Sequence, residues 1–203
     1  GEPQYLPMDE SHPTEPLNFY GYTKLGIENL LRWYSQLRGI RFSSLRYFNA
    51  AGYDVDGELN GLEHKPNNLL PIVLETIVGR RKKVEVFGTD YDTRDGSCIR
   101  DYIHVNDLAD AHLKALDYLK HENQDLVINL GTSNGLSVLE IMQIAREVSG
   151  QEFNYTLGPR RAGDPAVVLA KAELAEELLD WKPKHSDANT LLETTLRAYR
   201  QSS

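Results

Sequence analysis

The sequence predicts an α/β fold. Short apolar runs suited to strands alternate with longer segments of helical periodicity. Gly, Pro, Asn or Asp marks most of the changes from one element to the next. The 203 residues are 40% hydrophobic and 26% charged, which fits a globular chain with a real core.

Residues 1–19 are rich in Pro, Glu and Asp and read as a loop. Leu25, Ile27, Leu30, Leu31, Trp33 and Tyr34 recur with a helical period, so a helix is expected over 20–38 with Gly39 as its C-cap. Residues 40–48 form a strand candidate that ends in Asn49-Ala50-Ala51-Gly52. The polar stretch 53–66 reads as a loop. Leu69 to Val78 reads as a helix closed by Gly79, and Lys83 to Phe87 as a short strand. A charged turn region follows from Gly88 to Gly96. Cys98 to Val105 is expected as one strand, and 106–119 as a helix with Leu108, Ala109, His112, Ala115, Leu116 and Leu119 on one side. The unbroken apolar run Leu126–Leu130 predicts a buried strand. Ser137-Val138-Leu139-Glu140 has the capping-box pattern and opens a helix to about Ser149. A strand over 153–157, a loop over 159–165 and helices over 171–179 and 187–201 complete the chain.

The net charge of −8 argues against a nucleic-acid binder. A single cysteine, Cys98, rules out an intrachain disulfide framework, so a reducing, cytoplasmic setting is expected. No apolar run approaches the roughly 18 residues of a membrane span, so no membrane partner is expected. The chain opens Gly-Glu-Pro-Gln, with neither an initiator Met nor a secretory signal pattern, and a piece of a longer chain is expected.

Tyr20 and Lys24 are four apart on the first helix and share a face, whereas Tyr22 points elsewhere. A fixed ammonium beside a phenol favours the phenolate. Bringing a phenol from about 10 to about 7 takes roughly 4 kcal/mol and yields a general base for neutral pH. With eleven tyrosines in the chain, a surface Tyr and a surface Lys meeting this spacing by chance is the alternative. Arg100 sits inside the apolar run 99–103, where a charge needs a partner: an anionic ligand, or an internal ion pair with Asp101 or Asp107. Arg161 lies in a Gly-containing loop shaped to close on an anion. Asn67 and Asn68 at a helix start offer either anion contacts or simple N-caps. The loop Gly131–Gly135 follows a strand and precedes a helix. It lacks the G-x-G-x-x-G spacing and reads as a tight turn more readily than as a phosphate cradle. Cys98 reads as a buried thiol, the histidines show no metal spacing, and Arg80–Lys83 reads as a solvated face.

Taken in order, Tyr20-Gly21-Tyr22-Thr23-Lys24, Leu45-Arg46-Tyr47-Phe48-Asn49, Pro66-Asn67-Asn68-Leu69, Arg100-Asp101-Tyr102-Ile103-His104-Val105, Asn129-Leu130-Gly131 and Arg160-Arg161-Ala162-Gly163-Asp164-Pro165 resemble the UDP-glucose 4-epimerases, a branch of the extended short-chain dehydrogenase/reductases. The resemblance covers nearly the whole chain. It implies NAD as cofactor, a UDP-sugar as substrate and a homodimer built on the Tyr-x-x-x-Lys helix. It also implies that Tyr20 takes the proton of the sugar 4-hydroxyl, that Lys24 holds the nicotinamide ribose and that Tyr47 lies near the nicotinamide. Phe48, Asn49, Asn67, Asn68 and Leu69 match substrate contacts. Glu85, Val86 and Phe87 match a strand along the uracil, and Arg100, Arg161 and Asp164 match the groups around the diphosphate and ribose.

The family's glycine-rich turn and its catalytic Ser or Thr precede the position matched by Tyr20, and this sequence has no such segment. The chain is therefore expected to be the C-terminal part of a Rossmann-like parallel sheet plus a smaller α/β substrate-binding domain, and to hold no NAD alone. Residues 1–50 would complete the NAD-binding domain. Residues 51–203 would be mainly the substrate domain, with 97–130 returning to the Rossmann sheet. In the family, a bulky residue after the Arg-x-Gly-Asp loop goes with rejection of N-acetyl sugars. Val168 matches that position, so N-acetylated sugars are expected to be accepted. Other functions kept open are a nucleotide-sugar dehydratase or reductase, and a non-catalytic UDP-sugar-binding module.

Overall fold

The computed structural model describes residues 2–202. Its first helix, α1 (Phe19–Arg38), is capped by the Asn18 side chain, which accepts from Gly21 N. It ends at Gly39, whose φ is +66°. Two strands follow, β1 (Ser43–Tyr47) and β2 (Asn49–Ala51), then α2 (Leu69–Ile77) and β3 (Val84–Phe87). Next come β4 (Ile99–Arg100), β5 (Tyr102–His104), α3 (Val105–Glu122) and β6 (Leu126–Leu130). The last third holds β7 (Leu136–Ser137), α4 (Val138–Ser149), β8 (Tyr155–Gly158), β9 (Val167–Val168), α5 (Glu173–Leu179) and α6 (Ala188–Gln201).

Strand pairing is mostly parallel, as the alternation of helices and strands requires. β1 runs with β6 over Ser43↔Leu126 to Tyr47↔Leu130, β2 with β5, and β3 with β8. β4 lies between β9, parallel, and β7, antiparallel.

Two hydrophobic cores result. α3 and α5 pack on the β1–β6 pair around Ile103, Leu108, Ala111, Ile128, Leu130 and Trp181. α2, α4 and α6 enclose the other core with Leu70, Leu74, Val84, Val86, Ile141 and Leu192. β5 belongs to both, because side chains alternate along a strand: Tyr102 enters one core and Ile103 the other.

Several expectations are corrected. The single strand expected over 98–105 is two strands in different sheets. Asp101 breaks it by turning its carboxylate inward to accept Thr132 N (2.9 Å), Thr132 Oγ1 (2.8 Å) and Ala170 N (3.2 Å). Burial pushes that carboxyl above its ordinary value, and the hydrogen bonds pull against the rise. The strand expected over 40–48 likewise divides at Phe48 into β1 and β2. β7 and β9 had no recognisable pattern at two residues each. On α3 the buried positions are Asp107, Leu108, Ala111 and Ala115, whereas Ala109, His112 and Leu116 are exposed. The Ser137/Glu140 capping box is present, with both reciprocal bonds made.

The Gly131–Gly135 loop is a packed turn and not a phosphate cradle. A Cβ at Gly131 would lie 2.5 Å from the Ala170 Cβ and 2.7 Å from Asp101 Oδ2, so only glycine fits this close approach. Among the described residues no helix is long and apolar enough to cross a membrane, and no group of three His, Cys, Asp or Glu is placed to hold a metal ion.

Candidate functional site

Helix α1 is fixed against β1 by charge more than by apolar packing. Glu28, one turn beyond Lys24, accepts from Ser44 Oγ (2.8 Å) and from Arg46 Nε (2.7 Å) and Nη2 (2.6 Å), with Arg32 at 3.3 Å. The fork of two guanidinium bonds sets the rotation of the helix. Tyr20 and Lys24 then share the face that overlooks β1. The Lys24 ammonium lies 5.2 Å from the Tyr20 ring centroid, and the phenol is 70% exposed.

The hydrogen bonds from Arg46, helped by Ser44 and the charges of Arg46 and Arg32, outweigh burial and hold the Glu28 carboxyl below its ordinary value of 4.5. A depressed carboxylate adds stability that is present above the unfolded value and is lost as pH falls through the folded one. Glu28→Gln is therefore expected to cost about 1–3 kcal/mol at neutral pH. The penalty should shrink below about pH 4. Chemical denaturation at pH 7 and pH 3.5 checks this, and a penalty equal at both pH values would refute it.

Two clefts open along this face. The first, about 540 Å³, is lined by Tyr20, Lys24, Glu28, Tyr47, Phe48, Asn49, Arg100 and Val168. The second, about 820 Å³, is lined by Asn49, Asn67, Asn68, Leu69, Glu85, Phe87, Cys98, Arg100, Arg161 and Asp164. Asn49 and Arg100 line both, so the clefts adjoin at these residues. The Asp101 carbonyl orients Asn49 by accepting from its backbone N (3.2 Å) and its Nδ2 (3.0 Å).

Most residues singled out in the sequence thus come together. Val86 is the exception: strand alternation sends its side chain into the core, 1% exposed, between Glu85 and Phe87 on the cleft wall. The ion pair weighed for Arg100 is not formed. Its Nη1 donates to the Ile99 carbonyl at 2.9 Å, Asp101 faces the Thr132 loop, and Asp107 accepts from Lys184 N, His185 N and Ser186 Oγ. The adjacent arginines diverge. Arg160 is held by Asp90 and stacks over Tyr91 at 4.2 Å, leaving Arg161 over the Phe87 ring at 3.9 Å with no carboxylate partner among the described residues. The Asn68 side chain makes no cap bond to α2, so its amide remains available to the cleft.

Sequence reasoning missed Glu28 and Arg46, because their partnership spans 18 residues and two element types. It took Cys98 only as a core thiol, although this 5% exposed side chain lines the cleft. The basic run was read as a solvated face, yet Arg81, Lys82 and Lys83 line the cleft's edge.

Residues 1–131 match the NAD dependent epimerase/dehydratase family. The chain belongs to that family. Among curated members of this epimerase/dehydratase family, a UDP-glucose 4-epimerase from Halalkalibacterium halodurans is 46% identical over 194 residues, covering 95% of this chain and 58% of the relative. The crystal structure of UDP-glucose 4-epimerase from Brucella ovis in complex with NAD superposes with a TM-score of 0.95 at 42% identity, over 98% of this chain and 61% of that one. That of the Bifidobacterium longum enzyme in complex with NAD+ and UDP gives 0.90 at 38% identity, over 99% and 60%. The chain therefore spans about three fifths of the length of these relatives, at 58%, 61% and 60%.

Proposed function

We propose that this chain, within the complete enzyme, takes part in interconverting UDP-glucose and UDP-galactose with NAD as cofactor, and that it is inactive alone. The observation that carries this is a pair of adjoining clefts, with a Tyr–Lys pair in one and two arginines that have no carboxylate partner among the described residues along them. The phenol of Tyr20 takes the proton of the sugar 4-hydroxyl and returns it when the 4-keto sugar is reduced on its other face. Bound NAD would supply the hydride acceptor and donor for C4. Lys24, exposed beside Tyr20 and without an acidic partner among the described residues, suits the vicinal hydroxyls of a nicotinamide ribose, with Tyr47 next to it. Arg100 and Arg161 hold the diphosphate. Asn49, Asn67, Asn68 and Leu69 hold the sugar side, and Glu85, Phe87 and Asp164 the uridine. The main chain at Val86 serves that wall in place of its side chain.

Two lobes supply these groups. Residues 1–50 with part of 97–130 would be the cofactor side, and the rest of 51–203 mainly the substrate side. UDP-galactose formed from UDP-glucose by the complete enzyme, measured with NAD present, tests the function. No conversion in either direction, with UDP bound, would leave the dehydratase, reductase or binding-module readings.

Val168 lines the first cleft beside Tyr20 and Arg100, where a small side chain leaves room around the sugar. UDP-N-acetylglucosamine is therefore expected to be epimerised as well, and Val168→Tyr to abolish that activity while sparing UDP-glucose. A wild-type enzyme inert toward the N-acetyl sugar would sink the assignment.

The partner is a second copy. Phe19, Tyr22, Leu30, Trp33 and Leu37 follow one another at spacings of three, eight, three and four along α1 and are all more than half exposed, a seam suited to another helix. Trp33→Glu is expected to halve the mass seen by sedimentation, and an unchanged mass would refute the seam. The lone thiol Cys98 supports a reducing, cytoplasmic setting.

A further inference from the structure

His104 ends β5, the strand that both cores share, and is wholly buried. Every polar atom of its ring is assigned. Nδ1 accepts from Asn106 N at 3.1 Å and so caps α3, which places the proton of a neutral ring on Nε2. Nε2 lies 3.2 Å from Thr194 Oγ1 on α6. The Thr194 hydroxyl gives its own proton to the Thr190 carbonyl at 2.8 Å and accepts from Tyr53 N at 3.2 Å. Its oxygen is left to accept the Nε2–H, so donors and acceptors match throughout.

The ring also lies against the backbone after β2. A Cβ at Gly52, whose φ is +79°, would sit 2.4 Å from the His104 ring. β2 pairs with β5 in the register Asn49↔Tyr102 and Ala51↔His104. Asn49, three residues before Gly52, lines both parts of the cleft.

We propose that His104 is a positioning residue, which pins the Asn49–Tyr53 segment to α6 and thereby fixes the Asn49 wall of the cleft against the wall carried by α2. This rests on the reading of the cleft as a UDP-sugar site. The α3 cap needs a neutral ring, because a proton on Nδ1 removes the acceptor for Asn106 N. Burial favours the neutral form and His185 acts in the same sense, against Asp107, Asp187 and Asp54.

Side-chain geometry separates the two bonds. Asn at 104 can place its oxygen at the Nδ1 position, keeping the α3 cap and losing Thr194. Gln can place its amide nitrogen at the Nε2 position and keep the link to Thr194. Thr194→Val cuts the same link from the other side and also removes the acceptor for Tyr53 N, so it sets the upper limit of the effect. In the purified protein, backbone amide exchange across residues 49–56 is expected to quicken about five- to tenfold in His104→Asn and Thr194→Val, and to stay near wild type in His104→Gln. The UDP dissociation constant should rise about fivefold or more in the same two variants, with the double variant no worse than Thr194→Val alone. Lower thermal stability with unchanged 49–56 exchange would overturn the pin. Faster exchange with unchanged UDP affinity would overturn its link to the cleft. Faster exchange in the two variants, together with a wild-type protein that binds no UDP at all, would uphold the pin and refute the functional reading.

Discussion

Tyr20→Phe is expected to reduce UDP-galactose turnover by at least about a hundredfold, the low end for a lost general base. Stability should not follow. The hydroxyl has no hydrogen-bond partner among the described residues and the side chain is 70% exposed, so the melting free energy should stay within about 0.5 kcal/mol. The aromatic ring that Lys24 faces at 5.2 Å is retained, so the NAD content of the complete enzyme should be unchanged. Tyr22→Phe is the control, since it shares the sequence neighbourhood but not the cleft. Turnover near wild type for Tyr20→Phe between pH 6 and pH 9 would remove this phenol from the mechanism. A similar loss in Tyr22→Phe would point to damage to α1 instead.

That pair was legible in the sequence because a helix converts spacing into direction. Tyr20 and Lys24 need only a helical period and a cap at Asn18 to share a face. The same holds for the Ser137/Glu140 capping box and for Gly39 and Gly79 as helix ends, where the signal lies within a few residues. Strands were less legible. Nothing local shows that residues 98–104 break at Asp101, because the break is caused by Thr132 and Ala170, some 31 and 69 residues away. The buried face of α3 was misjudged for a related reason. His112 and Leu116 fit a helical stripe, but β6 and α5 approach from the side of Ala111 and Ala115. Within the site, the sequence left open which side chains are committed to internal partners. Whether Arg100 or Arg160 is consumed by an internal acid depends on where Asp90, Asp101 and Asp107 point. Only Asp90 turned out to take an arginine of this group.

That outcome sets the second large effect. Arg100→Ala and Arg161→Ala are each expected to weaken UDP binding by about 1.5–3 kcal/mol, the range for hydrogen bonds to charged groups. Arg100 is pre-organised by its bond to the Ile99 carbonyl, and Arg161 by its stack on Phe87 at 3.9 Å, so little ordering cost falls on the ligand. Neither guanidinium belongs to a salt bridge among the described residues, so the melting temperature should move far less than the affinity. Arg161→Lys should recover only part of the loss, because an ammonium keeps the charge but not the planar fork that grips two phosphate oxygens. Arg160→Ala provides the contrast. It breaks the Asp90 pair and the Tyr91 stack, so it should loosen the loop over 159–165 and affect UDP only through Arg161. Titration calorimetry with UDP, run beside thermal melts, separates these outcomes. Unchanged affinity in both alanine variants would mean that the cleft does not hold a diphosphate. Unchanged affinity with a lowered melting temperature would return both arginines to a structural role.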